Sequence, residues 1–131
     1  MFLKMADKAY DLHGVRVLEC ATDGARLRGD RDAVPVIETA WENRAKLIVI
    51  PVERLEEEFF QLKTRIAGEI LQKFVQYRFR IAIVGDISRH LSESSALRDF
   101  VRESNRGSQI WFVATIDELS QRLERAREPQ A

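Results

Sequence analysis

Three short apolar runs punctuate the chain: Leu47-Ile48-Val49-Ile50, Phe79-Arg80-Ile81-Ala82-Ile83-Val84 and Gln109-Ile110-Trp111-Phe112-Val113. Pro51 closes the first and Gly85-Asp86 the second. Short, β-branched and nearly continuous, such runs predict strands buried on both faces of a parallel sheet. Earlier, Tyr10-Asp11-Leu12-His13 and Val15-Arg16-Val17-Leu18-Glu19-Cys20 flank Gly14, and the second piece alternates apolar with polar. That alternation predicts a hairpin over about 8–21, ended by Thr22-Asp23-Gly24.

Between the runs the period lengthens to that of a helix. A first helix is expected over 32–43, capped by Asp30 or Asp32; Pro35 favours Asp32, because proline is tolerated in a first turn. Val34, Ile37, Ala40 and Trp41 then share one face and are expected inward. Phe59, Leu62, Ile66, Ile70, Phe74 and Tyr77 form the stripe of a long second helix. Ser92 or Ser94 can cap a third, burying Leu97, Phe100 and Val101, with Gly107 as a left-handed stop. Thr115-Ile116-Asp117-Glu118 matches a capping box for a fourth, with Leu119 and Leu123 inward.

The resulting order, β-β-α-β-α-β-α-β-α, predicts an α/β fold with a mostly parallel, mixed sheet of about five strands and four helices. With 131 residues, 45% hydrophobic, and no linker, repeat or low-complexity tract, residues 1–131 are expected to form one domain with a frayed tail at 127–131. In such sheets a ligand sits beyond the carboxyl ends of the strands.

Charge and motif content narrow the function classes. Lys and Arg total 21, as do Asp and Glu, so nothing global points to nucleic acid or an anionic membrane. Neutrality hides a local contrast. Four acids and one base occupy 53–58, whereas five bases and one acid occupy 63–80, a contrast that fits a partner-binding surface or a solvated helix rim. A single cysteine, Cys20, allows no internal disulfide and is expected to be a small buried residue. His13 and His90 are expected at the surface, too far apart in sequence for a structural zinc site. Lys4, Asp7 and Lys8 break up any secretory leader, and no apolar run approaches the roughly 20 residues of a membrane helix. A cytoplasmic protein is therefore expected. Phosphate-loop, dinucleotide and nucleophile-elbow motifs are missing, so no catalytic residue, metal or cofactor is assigned, and the expectation leans away from an enzyme.

Candidate binding residues come from position. Asp86 and Ser88 follow a buried strand at its carboxyl end, where Asp86 can bind a hydroxyl or form a local turn. Asn105 and Arg106 end the third helix; Arg106 can hold an anion, or simply complement the helix dipole. Glu53, Glu57 and Glu58 form the acidic approach to the second helix.

Phe59-Phe60-Gln61-Leu62-Lys63-Thr64-Arg65-Ile66-Ala67-Gly68-Glu69-Ile70-Leu71-Gln72-Lys73-Phe74, then Arg80 to Asp86, then Asp99 to Gly107, resemble a bacterial family known as domain of unknown function 4180. The element order also resembles the STAS fold of sulfate-transporter domains and anti-sigma-factor antagonists. That resemblance implies a phosphorylatable hydroxyl where strand hands over to long helix, which falls near 59–63. No hydroxyl stands there, and Thr64 is the nearest. Two functional expectations follow. The first is a non-enzymatic regulatory module that binds another protein or a second copy of itself, using the acidic segment 53–58, the N-terminal turn of the long helix with the candidate Thr64, and nearby Asp86. The second is a small-molecule binder or enzyme with Asp86, Ser88, Asn105 and Arg106 around a carboxyl-edge pocket.

Overall fold

A computed structural model describes residues 6–127. Lys8–Leu12 (β1) and Val15–Glu19 (β2) form the antiparallel hairpin, Tyr10 opposite Val17 and Leu12 opposite Val15. Leu47–Pro51 (β3), Arg80–Val84 (β4) and Ile110–Val113 (β5) then add in parallel, in the spatial order β1-β2-β3-β4-β5. The α/β class and the mixed five-stranded sheet are as the apolar runs predict.

Because each parallel strand lies beside its predecessor, right-handed crossovers send the intervening helices to one face. Ala33–Glu42 (α1), Ile66–Gln76 (α2) and Ser95–Arg106 (α4) pack there, closing Ile37, Phe74 and Leu97 over Leu18, Ile48, Ile50, Ile81, Ile83 and Phe112. Ile116–Arg127 (α5) covers the opposite face, where Leu119 and Leu123 meet Val17, Val49, Ala82 and Trp111. It reaches the hairpin turn, where Ser120 Oγ lies 2.9 Å from His13 Nε2. Residues past 127 in the expected frayed tail, and Lys4 in the N-terminal stretch, lie outside the described residues.

The caps explain the helix starts. Ser94 accepts the Leu97 amide at 3.1 Å to begin α4. Thr115 accepts the Glu118 amide at 3.1 Å to begin α5, while the Glu118 carboxylate reaches back to the Ala114 amide at 2.8 Å, one residue earlier than a standard capping box. At α1 the Asp32 carboxylate accepts the Arg28 amide at 2.8 Å and makes no cap bond to the helix.

Four sequence expectations change. The inward face of α1 is Ala33, Val36, Ile37 and Ala40, with Val34 and Trp41 outside. Both stripes fit the period; the two alanines let the helix lie close to the sheet, and a tryptophan does not. The long helix read from Phe59 begins only at Ile66, after short 3-10 turns at Glu57–Phe60 and Leu62–Thr64 and a left-handed Arg65 at φ 64°. The left-handed Arg65 breaks the helical path, so Phe59 and Phe60 are buried from a 3-10 turn and not from the stripe of α2. A fifth helix, Ser88–Glu93 (α3), precedes α4, and Gly107 ends α4 at φ −86° with no left-handed turn.

Candidate functional site

The carboxyl ends of the parallel strands carry a cleft assembled from three connections. Pro51 ends β3, and the chain turns through Val52–Arg54. At the end of β4, Gly85 adopts φ +146°, and a Cβ there would collide with the Val52 side chain. Glycine thus admits the Val52 turn against the β4 exit, bringing Glu53 and Asp86 to the same opening. Arg54 fixes the turn from behind. It is 8% exposed and donates from Nε to Ala25 O at 2.5 Å and from Nη1 to Ala21 O at 3.0 Å. Its own carbonyl accepts the Leu27 amide at 2.7 Å. These bonds pin the segment after β2 beside the β3 exit.

The opening is a cleft of about 190 Å³ lined by Glu53, Glu57, Asp86, Arg26 and His90 over Val52, Leu55, Phe60 and Ile87. Glu57 pairs with Arg89, which holds its carboxyl below the ordinary range. Asp86 accepts the Ser88 amide at 2.9 Å, and hydrogen bonding from the Ser88 hydroxyl and amide lowers its pKa too. Both are therefore carboxylates at neutral pH. Nearby, Glu56 binds Arg26 at 3.3 Å and Arg28 at 2.9 Å.

A second hollow of about 290 Å³ opens between the β4 and β5 ends, with Ile83, Leu91, Val101 and Phe112 among its apolar lining and Asp86, Ser88, Asn105 and Glu118 among its polar groups. Asp86 serves both openings. A third, of about 380 Å³, shares Glu57, Phe60 and His90 with the first and extends to Lys63, Glu93 and Ser94.

The sequence-derived candidates divide accordingly. Glu53, Glu57 and Asp86 come together, as do Asp86, Ser88 and Asn105. Asn105 is already occupied: its side-chain amide makes two hydrogen bonds to Phe112. Arg106 is exposed, pairs with Glu103 at 3.6 Å, and lines neither opening. Glu58 borders a separate hollow with Arg28, Glu56 and Ile66. Thr64 lines none of these openings. Its Oγ1 lies 2.8 Å from the carbonyl oxygens of both Glu58 and Gln61 and accepts the Ile66 amide at 3.3 Å.

His90, expected simply at the surface, is half-buried and stacks on Phe60 at 4.1 Å with 13° between planes, forming the wall shared by two openings. Its closeness to Asp86 in sequence was a usable signal; the contribution of Arg26, thirty residues before Glu56, had none. Cys20 is buried as expected. Among the described residues no group of three or more His, Cys, Asp or Glu side chains is arranged to hold a metal, and no helix is long and apolar enough to cross a membrane.

The mixed sheet, helices on both faces and carboxylate-rimmed cleft define an α/β domain with its polar opening at the strand ends. This chain belongs to the family described as Domain of unknown function (DUF4180), whose model matches residues 12–123. No curated protein and no solved structure matches it.

Proposed function

We propose that the protein is a STAS-like regulatory module of the cytoplasm that binds another protein through the carboxyl edge of its sheet, without the phosphorylation switch of that fold. The observation that carries this reading is the convergence of Glu53 and Glu57, from the β3–α2 connection, and Asp86, from the exit of β4, on one cleft with an apolar floor. Apolar centre and charged rim are the ingredients of a protein interface. Two of the carboxylates are held ionised by neighbours, so the rim keeps its charge at neutral pH. The hairpin followed by β-α units supports the STAS likeness. Thr64 supports the lack of a switch, because its hydroxyl proton is engaged by two backbone carbonyls.

Crosslinking in the expressing cell, read by mass spectrometry, tests this. A single recurring partner, or a second copy of the chain, should crosslink within 53–58 or 86–90. The Glu53→Lys/Asp86→Asn double variant, which keeps an acceptor for the Ser88 amide, should lose that crosslink with little change in melting temperature. Equal crosslinking by the double variant, or no recurring partner, overturns the reading.

A second reading, a small-molecule binder or enzyme, is favoured by one observation: the 290 Å³ hollow does bring Asp86, Ser88 and Asn105 together over an apolar lining. It ranks second because Asn105 is tied to Phe112 and Asp86 to Ser88. A thermal-shift screen against metabolites in which none raises the melting temperature removes it.

A further inference from the structure

The opposite end of the strands carries a different surface. Val34, Trp41 and Tyr77 are the large apolar side chains most exposed among the described residues, Trp41 at 55% and Tyr77 at 43%. Trp41 is the penultimate residue of α1 and Tyr77 follows α2, and their rings meet edge to face at 5.4 Å. Lys73 Nζ stands 5.6 Å from the Tyr77 ring centre.

Both helices end in the same turn. The Ala45 amide donates to Ala40 O at 2.9 Å and the Phe79 amide to Phe74 O at 3.1 Å. One residue before, the Arg44 amide donates to Trp41 O at 3.0 Å and the Arg78 amide to Val75 O at 2.9 Å. This is the Schellman pattern, whose left-handed residue is ordinarily glycine. Here arginine occupies it twice, Arg44 at φ 57° and Arg78 at φ 66°. A basic residue follows two positions later in each case, Lys46 just before β3 and Arg80 at the start of β4, and the Arg80 amide donates to Lys46 O at 3.0 Å, so the two turns are neighbours. Among the described residues the side chains of Arg44, Lys46 and Arg78 enter no ion pair or hydrogen bond, and Glu38 and Glu42 on the exposed side of α1 do not pair with them.

We infer that Trp41, Tyr77 and the cations Arg44, Lys46, Lys73 and Arg78 form a docking surface for an acidic, apolar-containing segment of a protein partner. Charge complementarity selects an acidic occupant, because the rim is cationic and unneutralised. The layout selects protein over nucleic acid. Aromatic rings at the centre with arginines around them are the composition of interface anchors. The two rings, locked edge to face, offer no row of parallel faces for successive bases, and a chain of zero net charge supplies no long-range pull on a polyanion. This surface is independent of the carboxylate cleft and stands or falls separately from it.

Fluorescence anisotropy with a labelled short peptide alternating Asp and Leu tests it, against the same peptide with Lys for Asp and against labelled oligothymidylate. The Asp peptide should bind at least about tenfold more tightly than either control. Trp41→Ala should weaken it about tenfold or more. The Arg44→Gly/Arg78→Gly double variant should weaken it comparably while melting at the same or a higher temperature, because glycine suits both left-handed positions. Undetectable binding of the Asp peptide, or equal binding by the double variant, overturns the inference. So does tighter binding of oligothymidylate, which assigns the surface to nucleic acid. A dimer in size-exclusion chromatography that Trp41→Ala dissolves also overturns it, assigning the surface to a second copy.

Discussion

Asn105 hydrogen-bonds both backbone groups of Phe112: the Phe112 amide donates to Oδ1 at 2.7 Å, and Nδ2 donates to the Phe112 carbonyl at 3.2 Å. β5 is the outer strand of the sheet, with β4 on one side. The asparagine amide therefore stands where the next strand would pair, which both satisfies and blunts a free edge. Asn105→Ala should cost about 1–3 kcal/mol, because it leaves a donor and an acceptor unpaired. Urea unfolding measures the cost, and hydrogen exchange should show faster exchange at the Phe112 amide. Unchanged stability and protection contradict the role.

Gly85 against Val52 makes a sharper prediction. Gly85→Ala places a Cβ inside the Val52 side chain at a backbone angle of +146° that L-residues rarely adopt. A loss of about 2 kcal/mol or more is expected, since clash and strain act together. Val52→Ala in the same chain should recover only part of it, because shrinking the neighbour removes the clash and leaves the strained φ. Complete recovery in thermal melts means φ strain is negligible.

These two contacts show where sequence reading reaches and where it stops. Strands were legible because a buried parallel strand writes itself as a continuous apolar run, and Leu47-Ile48-Val49-Ile50 does so with no competing pattern. Helix phase was not: Val34-Ile37-Trp41 and Ala33-Ile37-Ala40 satisfy the same period, and only contact with the sheet decides between them. The segment before α2 reads as helix because Phe59 and Leu62 fall in phase with Ile66 and Ile70, although Phe59 and Phe60 are buried through irregular backbone. At the site, Glu53, Glu57 and Asp86 carried a positional signal, strand ends in an α/β order. Arg106 carried the same kind of signal and turns outward to Glu103, because helix position alone does not set which way a long side chain points.

Arg54 is a guanidinium working as a double donor behind the cleft. Arg54→Met keeps much of the side-chain volume and leaves the Ala21 and Ala25 carbonyls without their donor. Each orphaned group costs about 1–3 kcal/mol. Limited proteolysis should then cut within 21–27, and Arg54→Lys should rescue partially, since one ammonium cannot reproduce the forked geometry. Absence of both effects removes Arg54 as the clamp.

Alkaline pH should unfold the protein through Cys20 and Tyr10. Burial pushes the Cys20 thiol from 9.0 up to about 12, with the Asp7 and Glu19 carboxylates adding to the shift and Arg54 opposing it. Burial, and then the 2.7 Å hydrogen bond to Glu19, raise the Tyr10 phenol above its ordinary 10.0. In each case the folded state holds its proton more tightly than the unfolded state, so unfolding releases protons and stability falls as pH rises. The Cys20 share of stability is intact below pH 9.0 and is lost progressively between there and about 12; the Tyr10 share begins to fall near 10.0. Urea midpoints should be flat from neutral pH to about 9 and then decline. Cys20→Ala should remove the earlier part of the decline, and Tyr10→Phe the later part. In native protein at neutral pH the buried thiol should resist alkylation and react only after unfolding. A Cys20→Ala protein whose midpoints fall as steeply just above pH 9.0 as the unsubstituted chain assigns the alkaline loss to other groups.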